Sequence, residues 1–176
     1  HKNSTMYVKG TLKVTGTKES PVFFRNDRLE HVYDYIPSQW NGIILFSNPV
    51  INEINYAEIR NAVIGLQVGN IENSGGANLT IKNTIIENMS YACIFSIASV
   101  ISAFNCIVAN GGYYNAAIIA GGEYEFYHCT FAAYAGSGRP DPSVMLSNNV
   151  TINNVMYLGD LTKAYFGNCI IYGNGS

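Results

Sequence analysis

The sequence predicts an all-β chain: a right-handed, single-stranded parallel β-helix with three strands per coil and about five to six coils. Three observations carry this. A short phrase returns at a spacing in the low twenties. Inside it, β-branched residues alternate with polar ones. Asn or Gly breaks every run before it reaches helical length.

The clearest copy of the phrase is Leu79-Thr80-Ile81-Lys82-Asn83-Thr84-Ile85-Ile86-Glu87-Asn88. It returns as Ala103-Phe104-Asn105-Cys106-Ile107-Val108, as Phe126-Tyr127-His128-Cys129-Thr130-Phe131 and as Phe166-Gly167-Asn168-Cys169-Ile170-Ile171. An earlier copy is Ile54-Asn55-Tyr56-Ala57-Glu58-Ile59. Each copy reads as two short strands around a bend. Asn suits the bend because it tolerates the left-handed region. Stacking aligns Asn83, Asn105, His128 and Asn168 in one column. Ala57, Thr84, Cys106, Cys129 and Cys169 form the next, and Ile59, Ile86, Val108, Phe131 and Ile171 another. A third strand per coil is expected near residues 42–46, 63–66, 94–97, 116–119 and 144–146. Strands near 6–8, 12–14 and 22–24 supply the first coil.

Between the strands, excursions are expected at 25–41, 109–115 and 132–143. All three follow the second strand of the phrase and therefore emerge along one edge. Residues 149–163 read as an insertion, either a hairpin or an extra partial coil. Residues 1–176 are expected to form one domain and, opening on His1 and not Met, to be a piece of a longer protein.

Composition narrows the function classes. Net charge is −2 and only 12% of residues are charged. With no basic stripe, nucleic acid is not an expected partner. No apolar run approaches the ~18 residues of a membrane span. The four cysteines (93, 106, 129, 169) contain no Cys-x-x-Cys pair, so no metal or cofactor is expected.

The phrase resembles those of right-handed parallel β-helix proteins, the architecture of pectate lyases, polygalacturonases and many surface proteins. A closer resemblance lies in Gly10-Thr11-Leu12-Lys13-Val14-Thr15-Gly16-Thr17, Pro21-Val22-Phe23-Phe24, Asp27-Arg28 and Ile36-Pro37-Ser38-Gln39-Trp40-Asn41-Gly42-Ile43. Together with Asn55–Asn61 and Phe166–Asn174, these segments are similar to a family of functionally undefined β-helix surface lipoproteins of Bacteroides-type bacteria. The resemblance implies an extracellular or outer-membrane-surface location and no particular activity.

Residues 27–40 hold the only tryptophan and a dense group of charges. Aromatic faces beside Arg and carboxylates suit sugars: the ring packs on C–H faces and charged groups bond hydroxyls. The candidate binding residues are Arg28, Tyr33, Asp34, Tyr35 and Trp40, with Tyr113, Tyr114 and Tyr134 on the same edge. The competing reading of Trp40 is a staple holding the loop to the rod. No catalytic residue is expected, because the third-strand positions carry neither carboxylate nor base. The expected function is a non-catalytic scaffold or carbohydrate-binding module with a polysaccharide partner. The alternatives are a polysaccharide lyase or glycoside hydrolase using Asp27, Arg28, Glu30 and Asp34, and a structural or adhesin role. In the last case the end coils, with unpaired backbone, contact missing segments or another copy.

Overall fold

The computed structural model describes residues 3–28, 30–46, 50–70, 77–134 and 141–173. Its strands come in successive sets that pair in parallel with the corresponding strands of the next set. The first set is β1 (Thr5–Val8), β2 (Lys13–Thr15) and β3 (Val22–Phe24). The second is β4 (Gly42–Leu45), β5 (Ile51–Asn55) and β6 (Ala57–Arg60). The third is β7 (Ile64–Val68), β8 (Asn78–Lys82) and β9 (Ile85–Met89).

In the fourth and fifth sets the first two strands are continuous. β10 (Ala92–Phe104) is followed by β11 (Ile107–Gly111), and β12 (Tyr114–Tyr127) by β13 (Thr130–Ala133). The amino-terminal part of β10 pairs with β7 and its carboxy-terminal part with β8. The last set opens with β14 (Val144–Leu146). A hairpin of β15 (Asn149–Ile152) and β16 (Val155–Leu158) follows, and β17 (Leu161–Gly167) and β18 (Ile170–Gly173) close the set.

One sheet of ten strands and one of six result, both parallel, and the larger sheet curls through the bends of β10 and β12. The bends fall at Ala98 (φ 47°) and Ala120 (φ 56°), and the β10–β12 register shifts there. Among the described residues, only the β15–β16 pair is antiparallel.

Alternation sets the core. Ile59, Ile86, Val108 and Phe131 lie in register and are at most 1% exposed. Ile54, Ile81, Ala103 and Phe126 form a parallel column. Where the columns change from aliphatic to aromatic, Phe126 stacks on Phe166 at 5.0 Å and meets the edge of Phe131 at 5.2 Å. The cysteine column is equally internal: Cys106 and Cys129 are 1% exposed and Cys169 is half-buried.

The bends between the second and third strands use left-handed residues. Tyr56, Asn83, Asn105, His128 and Asn168 all have φ between 50° and 54°. Asn105 Nδ2 donates to Asn83 Oδ1 (2.8 Å), and Asn83 Nδ2 donates to Asn55 Oδ1 (2.9 Å). His128 meets the edge of Phe104 at 5.2 Å. A second ladder, which the sequence reading did not single out, marks the next corner. Asn61, Asn88 and Asn110 have φ of 63°, 63° and 54°, and Asn88 Nδ2 donates to Asn61 Oδ1 at 2.6 Å.

Two expected boundaries change. Residues 109–115 are not an excursion: β11 runs to Gly111, β12 begins at Tyr114, and Gly112-Tyr113 makes the turn. The turn is this tight because a Cβ at Gly111 would collide with the Tyr114 carbonyl, and one at Gly112 with the Ser90 carbonyl. The insertion after β14 is the hairpin alone, and Leu161–Lys163 already belong to β17. Val150 of the hairpin packs outside the sheet on the small cluster of Ile97, Ile119 and Ala120. Of the 132–143 excursion, residues 135–140 lie outside the described residues.

A phenol sits inside the bend of β12. Tyr124 is fully buried; its Oη accepts from Ser99 N–H (3.3 Å), lies 3.0 Å from Ser96 Oγ and donates to the Gly121 carbonyl (3.0 Å). Burial pushes the phenol above its ordinary 10.0. A raised folded-state value means the associated stability is complete below about pH 10 and falls as pH rises through the folded value. The denaturation midpoint is therefore expected to fall more steeply above pH 10 in wild type than in Tyr124→Phe. The measurement is a urea titration repeated across the alkaline range.

Candidate functional site

The site is built where the 25–41 excursion folds back over the corner between β6 and β7. Asn61 fastens it. Buried and left-handed, Asn61 places its Nδ2 3.0 Å from Asn26 Oδ1 and 3.2 Å from the carbonyls of Tyr33 and Asp34. Gln39 N–H donates to the Asn61 carbonyl at 2.8 Å. Trp40 closes the segment: it is 8% exposed, and its Nε1–H donates to the Arg60 carbonyl at 2.8 Å. Trp40 therefore belongs to the core and offers no ring face to a ligand.

Between the excursion and the outer face of β3 and β6 lies a cleft of about 330 Å³. Arg25, Arg28, Asp34 and Tyr35 line it from the excursion, and Phe23, Glu58 and Arg60 from the sheet. The outward positions of β6 explain the sheet side, because alternation that buries Ile59 turns Glu58 and Arg60 out. Register places Arg60 opposite Glu87 of β9. The Arg60 guanidinium bridges Glu58 and Glu87, both at 2.9 Å, and its Nε has no partner.

The other two arginines of the cleft lie over rings. The Arg25 guanidinium is 5.2 Å from the Phe23 centroid, and that of Arg28 is 4.5 Å from the Tyr33 centroid. His31 Nδ1 lies 3.1 Å from Asp34 Oδ2. Tyr35, 78% exposed, stands at the rim.

Of the residues expected from sequence, Arg28, Asp34 and Tyr35 meet in this cleft, with Tyr33 beneath Arg28. Asp27 and Glu30 do not line it. The remaining tyrosines form separate groups along the same corner. Tyr113 and Tyr114 pack on Tyr91 at 5.3 and 6.1 Å, and Tyr134 packs on Tyr172 at 5.6 Å. Among the described residues no ring contact joins these groups to Tyr33 or Tyr35, so the aromatics do not form one continuous stripe. Arg25, Glu58 and Arg60 were not foreseen.

A second hollow of about 390 Å³ lies beside the amide ladder, between Lys18 and Asn83. Its ring is Tyr56, and it lacks the paired cation–ring stacks of the first.

Chain comparison with family models, curated proteins and solved structures finds no match. Among the described residues no group of three metal-ligating side chains occurs, and no helix is long and apolar enough to cross a membrane.

The inner thiols do not suit nucleophilic work: even Cys129, lowered to about 7 by its hydrogen bond with Cys106, is only 1% exposed. The hydrogen bond with Cys129 and then burial push the Cys106 thiol well up. Burial likewise raises Cys169. Cys93 is fully buried and donates to the Ala109 carbonyl at 3.1 Å. In native protein, Cys169 is expected to react first with a thiol reagent, and the other three only after unfolding. A time course of labelling with peptide mapping checks this order.

Proposed function

We propose that the stacked strand sets form a right-handed parallel β-helix of six coils, the hand following the general preference of parallel crossovers. On this reading the rod is a non-catalytic scaffold, exposed at a bacterial surface, that presents a carbohydrate-binding cleft at one corner. The carrying observation is the convergence of Arg28, Asp34 and Tyr35 with Arg25 and Arg60 in one open hollow on a rigid sheet. Side chains on strands hold their geometry better than side chains on free loops, and the excursion is itself bonded to Asn61. An exposed ring beside fixed donors and acceptors matches the two faces of a sugar.

One observation favours a second reading. Asp34 and Arg28 share the cleft, as a lyase or hydrolase built on residues 27–34 requires. Glu58, the other carboxylate there, is held by Arg60.

A glycan-array screen followed by reducing-end assays on every hit separates the readings. Binding without product, weakened by Tyr35→Ala, is the expected result. Product that disappears in Asp34→Asn would replace the passive module with the enzyme. No glycan bound by folded protein would leave the scaffold without this role.

A further inference from the structure

We infer that the cleft takes an anionic sugar residue, whose acidic group is held by Arg25 and Arg28. The inference rests on the carbohydrate-binding reading above and adds the charge of the ligand.

Three guanidiniums and two carboxylates face the cleft, and they are not equivalent. Arg60 is committed to Glu58 and Glu87. Asp34 has His31 beside it, and Glu58 has Arg60. Among the described residues, no carboxylate pairs with Arg25 or Arg28. Each is instead laid over an aromatic face, Phe23 for Arg25 and Tyr33 for Arg28. A ring holds a guanidinium through its face and leaves the in-plane N–H groups unspent. Both cations are thus oriented before any ligand arrives, which lowers the ordering cost of binding.

A planar carboxylate accepts two parallel N–H bonds from such a fork, and sulfate accepts comparable bonds. The whole chain carries a net charge of −2, so these two arginines without carboxylate partners are a local feature and not part of a general basic surface. Tyr35 at the rim adds the apolar face that a sugar ring needs and a bare anion does not. The hollow, about 330 Å³, lies at the small end of ligand sites and suits one or two sugar units better than a long buried stretch.

The test compares polygalacturonate, its methyl ester, neutral dextran and dextran sulfate by calorimetric titration. The proteins are wild type, Arg25→Gln/Arg28→Gln and Tyr35→Ala, each checked for unchanged thermal unfolding. The methyl ester keeps the sugar backbone and removes the charge. The expected result is binding of an acidic form at least about tenfold tighter than its neutral counterpart. Binding should weaken with salt and fall to the neutral level in the double arginine variant. Preference for polygalacturonate assigns a carboxylate, and preference for dextran sulfate assigns a sulfate. Equal binding of acid and ester, reduced by Tyr35→Ala, would overturn the inference and leave the glycan-binding reading intact. Binding of none of the four would overturn both.

Discussion

Truncating Phe131 to alanine is expected to cost about 3–5 kcal/mol, the range for deleting a buried aromatic side chain. Phe131 is fully buried, 5.2 Å from Phe126 and 5.9 Å from Phe166, so its removal opens a void where two strand sets meet. The void cannot readily close, because β13 itself and β12, which carries Phe126, are each fixed by parallel pairing on both sides. Ile171 provides the control. It lies in the same column, one strand further on, yet is 51% exposed. Ile171→Ala should cost less than about 1.5 kcal/mol, since much of that side chain is already in water. Urea midpoints of the two variants check the pair. Equal losses would mean that the column does not run inside the fold as described.

The second large effect is expected at Asn61. Alanine there leaves Asn26 Oδ1 and the carbonyls of Tyr33 and Asp34 without their donor, and places a β-carbon at φ 63°. An orphaned buried acceptor and a left-handed alanine each cost about 1–3 kcal/mol, giving an expected loss of about 2–4 kcal/mol. Asn61→Gly removes only the bonds and should recover about 1 kcal/mol of this. The functional consequence is local. With its tether cut, the 25–41 excursion should be cleaved by trypsin at Arg25 and Arg28 under conditions where circular dichroism is unchanged. Unaltered cleavage would show that Asn61 does not position the cleft.

The fold was legible because it is written in columns. Asn83, Asn105 and Asn168, the cysteines 106, 129 and 169, and the Ile59-to-Ile171 series repeat at constant phase, so each residue predicts its neighbour in the stack. The second amide ladder was in the same phrases, as Asn61, Asn88 and Asn110. It passed unread because each residue looks like the polar end of a strand. Only its left-handed φ separates it from an ordinary exposed position. The continuity of β10 and β12 was hidden for a related reason: the bend falls on Ala98 and Ala120, residues with no turn signature.

The site was legible only on its loop side. Arg28, Tyr33, Asp34 and Tyr35 stand out as a dense charged and aromatic run. Glu58 and Arg60 look like the solvent face of an alternating strand, which they are, and Arg25 looks like the polar end of another. What makes Arg60 a bridge is its register against Glu87, a contact that spans strands and has no local signal. Trp40 shows the converse: its composition advertises a ligand platform, whereas its indole N–H is spent on the Arg60 carbonyl. The tyrosines at 113, 114 and 134 share a corner without sharing a surface, because Tyr91 and Tyr172 gather them into separate packings.

A glycan is proposed to bind in the hollow formed by the excursion and the third strands of the first two sets. Nuclear magnetic resonance of the protein labelled at arginine side chains and backbone amides, titrated with the best glycan from the array, tests it most directly. Shifts are expected to concentrate at the Arg25 and Arg28 side chains and at the amides of Asp34 and Tyr35, with Tyr113, Tyr114 and Tyr134 unmoved. Shifts centred on those three tyrosines, or on the amide ladder near Asn83 and Asn105, would contradict it.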